Sequence, residues 1–190
     1  CTFTITGANP CFVSYPLIGD PASRPADGDI ADFTNDRGDT VKSLIRVEKG
    51  TINRSLYSLV TFYDPARPSA PWAPQKGWNG KLIYASRGGV QPSYHQGRTI
   101  GSLDEKLAHV GGENNNFHES LIRAGYALTG GSLNVTGTTT NHVVQAETMA
   151  KVKELFIELL GTQIYTMGMG TSGGSMSQHL IATNYPGLLD

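Results

Sequence analysis

The sequence predicts an α/β fold, and three observations carry that prediction. In the second half of the chain, short apolar runs of β type alternate with helical runs. The last apolar run, residues 164–169, leads into Gly170-Thr171-Ser172-Gly173-Gly174, and helix-forming sequence follows at once. The 190 residues are enough for one domain with a substantial core. Lys and Arg number 15 against 16 Asp and Glu, a net charge of −1. That balance supplies no basic stripe for nucleic acid and no polybasic membrane anchor. No apolar run approaches the length of a membrane span, and there is no internal repeat or low-complexity tract.

The elements are expected in the following order. Residues 1–40 form an irregular N-terminal segment, because 12–40 are rich in Pro, Asp and Gly. Within it Arg37-Gly38-Asp39 reads as a turn, and Asp27, Asp29 and Asp32 lack the spacing of a calcium loop. Residues 41–190 form the folded part. Stretches 41–47 and 55–63 are β-rich, with Gly50 between them, and look like an antiparallel pair. A Pro/Trp/Gly connection covers 64–80. Residues 81–86 then form a short buried-type strand that ends in Arg87-Gly88-Gly89. A polar excursion runs to Phe117, 119–124 form a short helix, and 126–129 form the next strand. Residues 143–160 give the clearest helix, with Val144, Met149, Val152, Leu155, Phe156 and Leu159 at helical spacing. Asn141 suits its N-cap and Gly161 its stop.

The chain begins at Cys1 rather than Met, as a mature N-terminus does after a signal peptide is removed, or as a trimmed chain does. A secreted or periplasmic location is expected on the first reading. The other cysteine, Cys11, can close a small disulfide loop with Cys1 in an exported protein. The alternatives are that each pairs elsewhere or that both stay free. Two glycosylation triplets, at Asn53 and Asn134, are near chance frequency.

G-x-S-x-G between a strand and a helix is the setting of a nucleophile elbow, and Ser172 is the candidate nucleophile. A turn this tight strains the serine backbone, and glycines flank it because side chains would collide with the strand and helix. The hydroxyl then stands clear of the sheet at a helix N-terminus, where the dipole favours developing negative charge. A Gly-rich turn can also bind a phosphate or nothing; the strand–turn–helix context favours the nucleophile. Acyl transfer further needs donors aimed at the developing oxyanion. The Gly173 N–H is the expected first donor, and the Gly88-Gly89 loop after strand 81–86 the expected second. The run of strands up to this elbow therefore reads as the N-terminal half of an α/β-hydrolase sheet.

Of the histidines His95, His109, His118, His142 and His179, only His179 follows Ser172, as the chain order of such a triad requires. It lies seven residues on, about two helical turns or ~10 Å along the same helix, and cannot reach the Ser172 hydroxyl. His95, just past the Gly-Gly loop, can line the substrate pocket with Tyr94, or can simply bond to backbone. Arg87 stands at the same loop. No cluster has metal-ligand spacing, and neither metal nor cofactor is expected.

Trp78-Asn79-Gly80-Lys81-Leu82-Ile83-Tyr84 leading to Gly88-Gly89, Tyr94-His95-Gln96-Gly97, Ser132-Leu133-Asn134-Val135, Ala146-Glu147-Thr148 and the Ser172 elbow running into Asn184-Tyr185-Pro186-Gly187-Leu188-Leu189-Asp190 together carry a resemblance. They resemble a family of secreted, mostly uncharacterised serine hydrolases of the α/β-hydrolase superfamily, distantly similar to tannases, feruloyl esterases and 3-hydroxybutyrate-oligomer hydrolases. The likeness spans roughly residues 72–190. It implies Ser172 as nucleophile, with Gly88, Gly89 and Gly173 around the oxyanion. The chain departs from it at Thr171, where a cysteine is expected in tannase-like relatives, and at Ser86-Arg87, where relatives look richer in glycine.

The resulting expectation is a secreted serine hydrolase that cleaves carboxylic esters through an acyl-enzyme on Ser172. A peptidase or amidase of the same fold and a non-catalytic binding module are the alternatives. An α/β-hydrolase draws its acid and histidine from strands after the elbow. A second polypeptide segment supplying both, most simply from the same precursor, is therefore expected as a partner, with an ester as substrate.

Overall fold

The computed structural model describes residues 2–6, 9–13, 26, 28, 30–64, 66–67, 70–97 and 117–190, with 2–6, 9–13 and 117–119 described in backbone only. Two small antiparallel pairs come first. Strand β1 (Thr2–Thr6) pairs with β2 (Asn9–Val13), and β3 (Asp32–Thr34) with β4 (Thr40–Lys42). The N-terminal segment expected to be irregular thus contains three strands. One cause is visible at Asn35. Its Oδ1 accepts from the N–H groups of Arg37 and Asp39 at 3.0 and 2.9 Å, which folds Arg37-Gly38-Asp39 into the expected turn. Gly38, at φ 83°, completes it. Phe33 of β3 then stacks on Phe62, with ring centroids 4.0 Å apart, and ties the pair to the core. The suggested Cys1–Cys11 bridge, His109 and the side chain of His118 lie outside the described residues.

The central sheet has five strands: β5 (Ile45–Ile52), β6 (Ser55–Phe62), β7 (Lys81–Ala85), β8 (Ala127–Gly131) and β9 (Tyr165–Met169). Their spatial order is β5-β6-β8-β7-β9. Strands β5, β6 and β8 run antiparallel to their neighbours in that series, whereas β8, β7 and β9 are mutually parallel. The β5–β6 hairpin turns at Asn53-Arg54, both at positive φ (50° and 60°), and Gly50, expected between the two strands, is not part of the turn. A two-residue loop with two positive φ values matches the strand twist. Gly50 instead lies within β5 opposite Tyr57, whose ring occupies the space an added Cβ would need.

Strand β7 is covered on both sides, which is why it reads as a continuous apolar run. Ile83 faces Phe33, Val60, Leu128 and Ile122, the last from helix α1 (Phe117–Arg123). Tyr84 faces Met149 and Val152 of helix α2 (His142–Leu160) and Ile181 of helix α3 (Gly173–Asn184). Leu82 faces Phe156 and Trp78, whose rings meet edge to face at 5.3 Å. Helices therefore lie on both faces of a mixed sheet, the arrangement of an α/β protein.

Helix α2 begins and ends as its sequence predicts. Asn141 Oδ1 accepts from the N–H groups of Val143 and Val144, and Gly161, at φ 103°, closes it with its N–H on the Ile157 carbonyl. Its inward face departs from the predicted stripe. Met149, Val152 and Phe156 are buried, but so are Gln145, Thr148 and Lys153, while Val144, Leu155 and Leu159 are only half-buried. The Lys153 ammonium escapes isolation by donating to the carbonyls of Gly187 and Leu188, and burial still holds its pKa below the usual lysine value. Strand β9 forms the edge of the sheet beyond β7. On its outer side Asp190 N–H donates to the Thr166 carbonyl at 2.9 Å, and Thr166 N–H donates to the Asp190 carboxylate at 2.8 Å. Among the described residues no helix is long and apolar enough to cross a membrane.

Candidate active site

Strand β9 carries the chain to the end of the sheet, and α3 starts three residues beyond Gly170. The turn is closed by Gly174 N–H donating to the Thr171 carbonyl at 2.9 Å. To make it, Ser172 adopts φ 55° and ψ −127°, a conformation that disfavours any side chain. Asn53, Arg54 and Ser172 are the described non-glycine residues at positive φ, and only Ser172 is neither in a hairpin nor paired with a second such residue. Ser172 is exposed, and its side chain makes no capping bond to α3. Its hydroxyl is thus held free at the positive end of a helix.

The glycines around it are required by closeness. An added Cβ on Gly174 would lie 2.8 Å from the Ser86 carbonyl oxygen. One on Gly170 would strike the same oxygen, and one on Gly173 would strike the Gly89 carbonyl and sit 3.0 Å from Thr136 Cβ. From the other side, a Cβ on Gly88 would lie 3.1 Å from Ser172 Cβ and 3.6 Å from its Oγ. The structure therefore brings Ser172, Gly173, Gly88 and Gly89 into one place. The Gly173 N–H, the first of α3, has no intrahelical acceptor and is available to a ligand.

Tyr94 and His95 lean on another segment. Tyr94 bridges to Thr139, and its half-exposed ring (53 %) has the Arg54 guanidinium 5.7 Å from its centroid. His95 is exposed, and its backbone N–H donates to the Thr138 carbonyl at 3.3 Å. Arg87 is half-buried where the Gly-Gly loop leaves β7. His179 is exposed on α3. Among the described residues no histidine is hydrogen-bonded to Ser172, and no group of three His, Cys, Asp or Glu side chains is placed to hold a metal ion.

Sequence reasoning missed the segment on which the glycine loop rests. Residues 134–139 run alongside 87–89. Arg87 N–H donates to the Asn134 carbonyl, Thr136 N–H to that of Arg87, and Gly137 N–H to that of Gly88, at 3.2, 3.1 and 3.2 Å. A buried polar network anchors this strap. Tyr84 OH donates to Asn134 Oδ1 at 2.7 Å, and Asn134 Nδ2 to the Gln145 carbonyl at 2.8 Å. Gln145 Nε2 donates to the Thr139 carbonyl at 2.7 Å, and its Oε1 accepts from Ser177 Oγ of α3. Burial holds the Tyr84 hydroxyl pKa well above the usual tyrosine value, so it remains a donor. The only signal in the sequence was Ser132-Leu133-Asn134-Val135 among the family-like motifs, and it named no role.

A family model described as a tannase-like family of unknown function (DUF6351) matches residues 4–190, and the chain belongs to that family. Neither the curated proteins nor the solved structures include a match to the chain.

Proposed function

We propose that this tannase-like chain is the nucleophile-bearing part of a serine hydrolase that cleaves carboxylic esters. The carrying observation is the strained Ser172 at the strand–helix elbow with the Gly88-Gly89 loop packed against it. Family membership is consistent with an esterase-like hydrolase and favours an ester over an amide substrate. In this reading Ser172 Oγ attacks the ester carbonyl while a histidine accepts its proton. The N–H groups of Gly173 and the Gly88-Gly89 loop donate to the carbonyl oxygen as it becomes negative. Collapse of the tetrahedral intermediate breaks the bond to the alkoxy oxygen, which leaves as the alcohol with the proton from the histidine. Water then repeats the sequence on the acyl-enzyme and releases the acid. Tyr94, His95 and Arg87 line the approach and contact the substrate.

The histidine and its orienting carboxylate come, in this proposal, from a second polypeptide segment that extends the sheet past β9, most simply part of the same precursor. Two features support it. Ile164 just before β9, Met167 within it, and Met176 and Leu180 on α3 are exposed apolar side chains. Strand β9 is also the last of the sheet, and among the described residues no strand pairs with its outer edge, where Asp190 bonds Thr166. The location that goes with this reading is secreted or periplasmic.

The test is a fluorophosphonate probe on the full-length protein, followed by peptide mapping. Labelling at Ser172, abolished in Ser172→Ala, is the expected result, with p-nitrophenyl esters hydrolysed in preference to p-nitroanilides. Labelling at Ser175 or Ser177, or none at all, overturns it.

A further inference from the structure

The strap 134–139 touches both halves of the candidate oxyanion site. Its backbone pairs with Arg87 and Gly88 through the three bonds described above, and these fix the loop that approaches Ser172 from one side. On the other side the Thr136 hydroxyl donates to the Gly173 carbonyl at 2.7 Å, in a position shielded from water. Thr136 itself is buried, and its Cβ is among the atoms closest to Gly173. One residue thus bonds through its backbone to the glycine loop and through its side chain to the elbow. Behind it, Gln145 repeats the pattern, with its amide on Thr139 of the strap and on Ser177 of α3.

We propose that Thr136 is a positioning residue that holds the two oxyanion donors in register, and this rests on the reading of Ser172 as nucleophile. The physical reason is the sensitivity of such sites to sub-ångström error. Donors stabilise the transition state only when both sit at hydrogen-bond distance from one oxygen. Gly88, Gly89 and Gly173 contribute no side chains to lock their own peptide planes. Glycine is the residue least able to hold one conformation unaided. The required glycines therefore leave the site soft, and the Thr136 hydroxyl and the strap supply the stiffness. A threonine fits this task because its Oγ reaches the Gly173 carbonyl while its β-branch restricts rotation.

The test compares Thr136→Val, which keeps the shape and removes the donor, with Thr136→Ser, which keeps the donor. In the full-length protein, T136V is expected to lower both kcat on a p-nitrophenyl ester and the fluorophosphonate labelling rate by about 10- to 100-fold. KM should stay within about threefold, since the ground state does not use the oxyanion donors fully. T136S should retain both rates within about threefold of wild type. Amide exchange in T136V should accelerate together at the bonded amides on the two sides of Thr136, those of Arg87 and Gly137 at the glycine loop and of Gly174 at the elbow, while β6 and β8 keep their protection. A purely structural role would lower the melting temperature without this paired local change or the kcat-selective loss. Should T136V fail to fold, Thr136→Ala against T136S makes the same comparison. If wild type labels at Ser172 and T136V or T136A labels at the same rate, the positioning role is overturned while the nucleophile stands. If wild type does not label at Ser172, the nucleophile reading fails and the positioning role with it.

Discussion

Replacing Gly173 by alanine is the sharpest perturbation of the elbow. The new Cβ would lie about 1 Å or more inside ordinary contact with the Gly89 carbonyl oxygen and 3.0 Å from Thr136 Cβ. Both obstacles are held in place. The Thr136 hydroxyl is bonded to residue 173 itself, and the Gly89 loop is strapped to 134–137. Helix α3 has little room to adjust, because Gly174 already packs on the Ser86 carbonyl. The strain therefore goes into the separation between Gly88-Gly89 and Ser172. Overpacking of this kind costs about 1–3 kcal/mol. In a domain of this size that lowers the melting temperature by roughly 2–12 °C. A displacement of about 1 Å at an oxyanion site costs on the order of 100-fold in rate. The assay is the second-order rate of fluorophosphonate labelling beside a thermal unfolding curve at the same pH. A folded Gly173→Ala protein that labels at the wild-type rate would refute the reasoning, because the donors would then tolerate a gap the geometry forbids.

Three further outcomes are expected. Phe156→Ala removes a fully buried ring that meets Trp78 edge to face, and should cost about 3–5 kcal/mol in urea unfolding. The Ser58 hydroxyl is buried and has no hydrogen-bond partner among the described residues, so Ser58→Ala should leave stability unchanged or raise it by up to about 1 kcal/mol by calorimetry. Desolvation would raise the Asp36 pKa, but hydrogen bonds from Lys81 and Asn79 and the Lys81 and Arg37 charges together bring it below its unfolded value of 3.8. The stability Asp36 contributes is thus complete above pH 3.8 and is lost as pH falls through the lower folded value. Asp36→Asn should be less stable than wild type near neutral pH by less than about 1 kcal/mol, with the gap closing in acid melts.

Some of this architecture was legible because a local signal and a global role coincide. Asn141 and Gly161 bound α2 through their own side-chain and backbone chemistry, and the Ser172 turn needs its glycines whatever surrounds it. The β5–β6 turn was missed because Arg54 at positive φ is not a residue that turn statistics favour; its guanidinium rests on Tyr94, a contact no local pattern shows. Strand β3 was missed because three residues are too few to show alternation, and its place depends on Phe33 stacking across to Phe62. The strap was missed for a different reason. Asn134, Thr136 and Gln145 are polar residues without period, and such residues read as surface until the partners that allow their burial are known.

The burial of Asn134 has a consequence for how the protein can be made. It opens the triplet Asn134-Val135-Thr136, which N-glycosylating hosts recognise. In the folded chain its amide nitrogen is committed to the Gln145 carbonyl, and the side chain has no exposed surface. A sugar on that nitrogen would need space the fold does not have. Any host that attaches glycans to emerging chains thus sets a race: folding hides Asn134 for good, whereas a glycan that arrives first bars that molecule from the native state. Asn53 at the hairpin tip imposes no such race: its side chain is exposed, and a glycan there would displace only a 3.3 Å bond from its amide nitrogen to the Thr148 hydroxyl.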